Sequence, residues 1–205
     1  MKRLFLGVLL LTLAGCATTT TVTPPVTTPP AQNETPTQPT TPASNLQTYT
    51  NSTYHFHFTY PKEFNFATAN YGNLSTKIVQ LQLGSAAYPK TNFGDAAFTV
   101  SMSNAQNREQ CLNMNSPEGS KGFDASPIDV NGVNFYLTNG SGAGAGNLYE
   151  SKVYRTFRDS SCFEIVETLH TANIGNYEPG TVEAVNKVRV WERLNSIFTT
   201  FAFEN

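Results

Sequence analysis

The chain has 205 residues, 13 of them Lys or Arg and 15 Asp or Glu, and charged side chains make up only 14% of it. No basic block interleaves with aromatic residues, which argues against a nucleic-acid partner. Asn, Thr and Ser supply most of the polar surface instead.

The first segment is a short basic start, Lys2 and Arg3, followed by an apolar run from Leu4 to Leu13. That run is about half of the ~20 residues needed to span a bilayer, so it reads as a signal segment rather than a permanent transmembrane helix. It ends in Leu13-Ala14-Gly15-Cys16. This motif resembles the lipobox of bacterial lipoproteins. The resemblance implies cleavage of a signal peptide at 1–15 and a diacylglyceryl group, palmitate-like chains included, on Cys16. Two acyl chains are enough for stable anchoring where one is marginal. Ala17 rather than Asp follows Cys16, which in a double-membrane host implies sorting to the outer membrane, and otherwise display at the cell surface. Loss of Lys2 and Arg3 leaves 11 basic and 15 acidic residues, a net charge of −4.

Residues 16–48 form a tether. From Ala17 to Thr48 there are 12 Thr, 7 of the chain's 12 Pro and a single charge, Glu34. Such a segment buries too little apolar surface to offset its ordering entropy and is expected to be disordered. Drawn out as polyproline II, it reaches roughly 100 Å.

Residues 49–205 are long enough for one domain with a single core. Tyr54 to Tyr60 alternates aromatic and polar residues, the period of a half-buried strand, and Pro61 ends it. Phe64 and Phe66 continue the pattern. Val79, Leu81 and Leu83 share one face of a second strand; Phe98, Val100 and Met102 share one face of a third. A short helix is expected over Gln106–Met114. Asn131-Gly132 between two Val is a type I′ hairpin signal. Ser151–Arg158 and Cys162–His170 read as a further hairpin through Asp159-Ser160-Ser161. Thr181 is the expected N-cap of a final helix with Glu183 in its first turn, and Ala184, Val185, Val188, Trp191, Leu194, Ile197 and Phe198 form its apolar stripe. Thr199–Phe203 is a terminal strand. The pattern predicts an α+β domain, an antiparallel sheet covered by helices.

The opening Tyr-x-Phe-x-Phe-x-Tyr-Pro-Lys-x-Phe (Tyr54–Phe64) and the closing Leu-x-x-Ile-x-x-Thr-Phe-x-Phe (Leu194–Phe203) resemble PsbP-like domains, named after an extrinsic protein of the photosystem II oxygen-evolving complex. The resemblance implies an α-β-α sandwich and a non-catalytic accessory role in binding or assembly, with no active-site residue to carry over.

With Cys16 reserved for lipid, Cys111 and Cys162 remain, and an exported protein permits a disulfide between them. Two buried thiols or a metal pair are the rivals, but no Cys or His stands at ligand spacing for the latter. His55 and His57 alternate along one strand face and offer two metal ligands; an exposed polar face is the plainer reading. Glu164 and His170 share a strand face but lie roughly 20 Å apart, too far to act as base and orienter. Glu167 points the other way, so either that face is not fully buried or Glu167 pairs with a cation such as Arg155 or Arg158. Gly140–Gly146 lacks the Lys and the following helix of a phosphate loop and reads as a flexible connection or a close backbone approach.

No catalytic residue, metal or cofactor is implied. The expected function is that of a monomeric, membrane-anchored binding or assembly accessory in the envelope. A His55/His57 metal-binding or enzymatic protein and a structural envelope spacer are the alternatives.

Overall fold

The computed structural model describes residues 45–113 and 126–204. The leader, Cys16, the tether through residue 44 and Met114 lie outside the described residues.

Among those residues the strands form two antiparallel sheets. The smaller has the order β1 (Leu46–Asn51), β2 (Phe56–Pro61), β10 (Ala202–Phe203). β1 opens at Leu46, inside the stretch that the sequence assigns to the tether. The larger sheet runs β3 (Asn65–Ala67), β4 (Thr76–Gly84), β5 (Phe93–Asn104), then β9 (Ser161–Ala172), β8 (Asn147–Arg158), β7 (Val133–Gly144) and β6 (Ile128–Val130).

Strand alternation decides the core. Phe56, Phe58 and Tyr60 of β2 point inward while His57, Thr59 and Pro61 are half-exposed. They meet Leu81 and Leu83 of β4, Phe98 and Val100 of β5, and Ile165 and Leu169 of β9. The rings of Phe58 and Phe98 lie 5.2 Å apart, edge to face. Burying each of these large apolar side chains stabilises by roughly 1.5–3 kcal/mol relative to exposure.

Helix coverage is the main departure from expectation. The domain is mainly β, with two α-helices among the described residues, α1 (Arg108–Leu112) and α2 (Lys187–Phe198). The front of the large sheet is covered by the small sheet together with α2, which buries Val190, Leu194, Ile197 and Phe198. On its other face lie the Tyr71–Leu74 segment and α1, with Leu74, Ala105, Cys111 and Cys162 in a small satellite core.

α2 also starts later than its sequence signals. Asn186, not Thr181, caps it, accepting from the Arg189 N–H at 3.3 Å. Tertiary bonds hold the preceding residues extended. Glu183 exchanges backbone bonds with Lys90 and Asn92, and the Asn92 side chain accepts from the Val185 N–H at 2.8 Å. Val188, expected in the apolar stripe, is 65% exposed.

Three hairpins turn on two residues of positive φ: Asn131-Gly132, Ala145-Gly146 and Asp159-Ser160. Ser161, expected in the last turn, begins β9 instead. The glycine-rich run is not a loose connection. It continues β7 to Gly144 and pairs in register with β8, Gly142 opposite Tyr149 and Gly144 opposite Asn147.

Candidate functional site

Both faces of β9 are buried, so its polar residues need partners. Arg155 and Glu164 sit opposite each other in the β8–β9 hairpin, and both are fully buried. The Arg155 Nε–H donates to Glu164 Oε2 at 2.7 Å, and a second guanidinium nitrogen donates to the same oxygen. Glu164 Oε1 accepts from the Asn73 backbone N–H at 2.9 Å, which ties the Tyr71–Leu74 segment to the sheet. The ion pair expected of Glu167 thus belongs to Glu164, because hairpin register places Arg155 on the face away from Glu167.

Glu167 faces the core, opposite Phe98 on β5 and Lys152 on β8. Its Oε2 accepts from the Tyr154 hydroxyl at 3.4 Å, and its Oε1 is buried with no hydrogen-bond partner among the described residues. Burial pushes the carboxyl up to about 7, against the smaller opposing effects of Lys152 and the Tyr154 bond. Burial first, then the Glu167 charge, raises the Tyr154 phenol. Sealed from solvent, this carboxyl cannot reach a substrate.

His170 lies at the far end of β9 from Glu164. Register sets it between Asp95 and Tyr149. Its Nδ1 is 3.0 Å from Asp95 Oδ2, its Nε2 is 2.9 Å from Asn147 Oδ1, and Tyr149 stacks on its ring at 4.8 Å. Gly94 leaves the ring its place: a Cβ there would come within 2.5 Å of Nδ1. Tyr71 stands nearby, its phenol raised by burial and then by the Asp95 charge. An Asp–His pair suits general-base chemistry, but here the second ring nitrogen is engaged by Asn147, which leaves no nitrogen for a nucleophile. Sequence spacing gives no sign of this cluster, since Asp95 and His170 meet only through the β5–β9 register.

The two remaining histidines lie elsewhere. His55 has φ of 51° and precedes β2, so the strand alternation that would set it beside His57 does not extend to it. His57 Nδ1 is 3.6 Å from Glu204 Oε1. Among the described residues no three His, Cys, Asp or Glu side chains gather as a metal site. Cys111 and Cys162 are joined as a disulfide, with Cα atoms 5.3 Å apart.

Two clefts open at the end of the sheet that carries the Asp159-Ser160 turn. The first, about 320 Å³, is floored by Tyr54, Phe163 and Phe203, with His55, Arg158, Asp159 and Glu204 at its rim. Phe163 and Phe203 pack edge to face at 4.9 Å, Tyr54 meets Phe163 at 6.5 Å, and Arg158 lies over Phe203 at 4.7 Å. The opening and closing motifs of the domain meet here. β10 pairs with β2, and the Glu204 N–H donates to the His55 carbonyl at 2.7 Å. The second cleft, of similar volume, shares Arg158 and holds Arg108. Sequence reasoning does not find either cleft, because the walls come from segments far apart in the chain, Tyr54 and Phe163 in the first and Arg108 and Phe157 in the second.

No family model matches the chain, and no curated protein matches it. Solved structures similar to it include a cyanobacterial PsbP (CyanoP) from Synechocystis sp. PCC 6803, determined in solution. That protein is 12% identical with a TM-score of 0.46, over 79% of this chain and 94% of that one. Another is a crystal structure of a protein from Bacteroides thetaiotaomicron VPI-5482. It is 13% identical with a TM-score of 0.44, over 77% of this chain and 48% of that one. The chain therefore spans about half of the Bacteroides protein's length.

Proposed function

We propose that this protein is a lipid-anchored, non-catalytic accessory of the cell envelope that binds a partner through its aromatic cleft. The lipobox at Leu13–Cys16 supports the anchor, and the Thr/Pro-rich stretch after it supports a spacer. The resemblance of the opening and closing motifs, Tyr54–Phe64 and Leu194–Phe203, to PsbP-like domains favours an accessory role over an enzymatic one.

The observation that carries the reading is the cleft over Tyr54, Phe163 and Phe203. An aromatic floor with a polar rim suits capture of an apolar or aromatic side chain. The groups suited to acid–base work are engaged elsewhere, Glu164 with Arg155, Glu167 inside the core, and His170 between Asp95 and Asn147. A photo-crosslinking residue in place of Tyr54, in cells making the full chain, tests it. The expected result is a discrete adduct with an envelope partner, weakened by Phe203→Ser. Absence of any adduct, or reproducible turnover by the purified protein, contradicts the reading. So does bound metal that disappears when His55 and His57 are both changed to Ala.

A further inference from the structure

α2 covers β8 but leaves part of β7 beside it open. Phe198 of α2 packs on Phe135 of β7 at 5.3 Å and on Tyr154 of β8 at 3.9 Å, which identifies the face of each strand turned to the helix. Strand alternation puts Asn139 and Ser141 of β7, and Lys152 and Glu150 of β8, on that same face. Nearer its start α2 meets β8 twice, one helical turn apart. The Lys187 ammonium pairs with Glu150, and the Lys152 Nζ lies 4.7 Å from the centroid of the Trp191 ring. Register sets Asn139 opposite Lys152 and Ser141 opposite Glu150. Asn139, Ser141, Glu150, Lys152 and Trp191 therefore converge, and they line a cleft of about 340 Å³.

The polar groups of this cleft keep hydrogen-bonding capacity for a ligand. Asn139 and Ser141 are exposed, and their side chains make no hydrogen bond among the described residues. Lys152 is held by a ring face, which orients the ammonium without using up its three donors. Glu150 Oε1 takes the Lys187 ammonium, and Oε2 accepts from no described residue. Trp191 is the single tryptophan of the chain. Its place in the apolar stripe of α2 predicts a core residue, yet the indole is half-buried and forms a wall of the cleft. An amphipathic ring set beside uncommitted donors and acceptors is an arrangement for recognition rather than for packing.

The mixture of groups narrows the ligand class. A small anion such as phosphate gains from Lys152 but is opposed by the Glu150 carboxylate and gains nothing from the indole. A wholly apolar ligand would strip water from Asn139, Ser141 and Glu150 without replacing their hydrogen bonds. A sugar ring satisfies both demands. Its C–H face lies against an indole, and each hydroxyl both donates and accepts, so it can meet the Lys152 ammonium, the Glu150 carboxylate, the Asn139 amide and the Ser141 hydroxyl. The volume is at the small end for ligand sites and suits one or two sugar units. We infer that the cleft between α2 and β7 is a saccharide-binding site, with Trp191 as its apolar wall and Asn139, Ser141, Glu150 and Lys152 as its hydroxyl-binding groups. This site depends neither on the lipid anchor nor on the aromatic cleft's partner.

Because the chain has a single tryptophan, its emission reports on this cleft alone. The test titrates the full-length protein, purified without any sugar-headed detergent, with maltotriose, cellotriose and N,N′-diacetylchitobiose. The expected result is a saturable change in emission with at least one of them, at a Kd on the order of 1 mM or tighter. Calorimetry with the same saccharide then compares variants. Asn139→Ala and Ser141→Ala, both at exposed positions, each weaken binding about threefold to tenfold, and Gln47→Ala, on β1, leaves it unchanged. Phe203→Ser also leaves it unchanged, which separates this site from the aromatic cleft; loss of saccharide binding in that variant overturns the inference. In NMR spectra of the unmutated protein the saccharide shifts the Trp191 Nε1–H and the Asn139 side-chain amide. Inorganic phosphate gives no saturable change in emission. Phosphate binding without saccharide binding, no saturable response to any of the three sugars up to about 50 mM, or full affinity in the Asn139→Ala/Ser141→Ala double variant overturns the inference.

Discussion

The carboxyl of Glu167 sits between Phe98 and Lys152 on neighbouring strands, fully buried and bonded only to the Tyr154 hydroxyl among the described residues. Its titration is raised from 4.5 to about 7, so between those values the native protein holds a proton that the unfolded chain releases. Stability from this residue is complete below about pH 4.5 and falls as pH rises through 7. The loss is on the order of 3 kcal/mol. Glu167→Gln removes that decline. Urea midpoints should show the variant gaining on the unmutated protein from about pH 5 to about pH 8; a constant difference contradicts the assignment. Glu164 behaves oppositely on mutation. Glu164→Ala strands the buried Arg155 without its carboxylate and should cost about 3–5 kcal/mol in urea unfolding, with less than about 1 kcal/mol contradicting the pair's role. Part of this pairing is legible in the sequence. With the turn placed at Asp159-Ser160, Arg155 and Glu164 are equidistant from it, as are Lys152 and Glu167. Including Ser161 in the turn hides that register. Asp95 with His170 carries no such signal, because long-range strand order sets their meeting.

At the level of elements, the β8–β9 hairpin and the Asn131-Gly132 turn follow from local chemistry. Two-residue turns demand positive φ, and alternation marks the strands. The glycine run defeats local reading because glycine suits a loop in isolation, whereas ladder pairing with β8 holds it extended. The start of α2 does so for a related reason. Thr181 satisfies the local rule, but Asn92 and Lys90 capture residues 183–185 first. Asn186→Ala should therefore cost about 1 kcal/mol, while Thr181→Ala should stay within about 0.5 kcal/mol. Equal losses from the two in thermal unfolding contradict the observed cap. The disulfide fastens α1 to the start of β9 across a sequence separation of 51. Replacing Cys111 and Cys162 by Ser should remove about 2–4 kcal/mol, and reductant should bring the unmutated protein to the same midpoint. No change under reductant contradicts the bridge.

On the scale of the whole molecule, sequence periodicity shows an antiparallel sheet with one apolar face but not that a second sheet covers it. The aromatic alternation of Phe56, Phe58 and Tyr60 reads identically whether β2 joins the main sheet or lies across it; only packing against Phe98 and Phe201 separates these arrangements. Nor does local pattern show that β7 and β8 stop pairing past Tyr136, where the second cleft opens. The proposed function joins this domain to the motif at the start of the chain, and its central claim is the lipid on Cys16. Metabolic labelling with a palmitate analogue, followed by membrane fractionation of the full chain and of Cys16→Ala, tests that claim most directly. The account predicts label and membrane association for the unmutated protein and loss of both in the variant. An unlabelled unmutated protein, or a variant that remains labelled and in the membrane fraction, contradicts it.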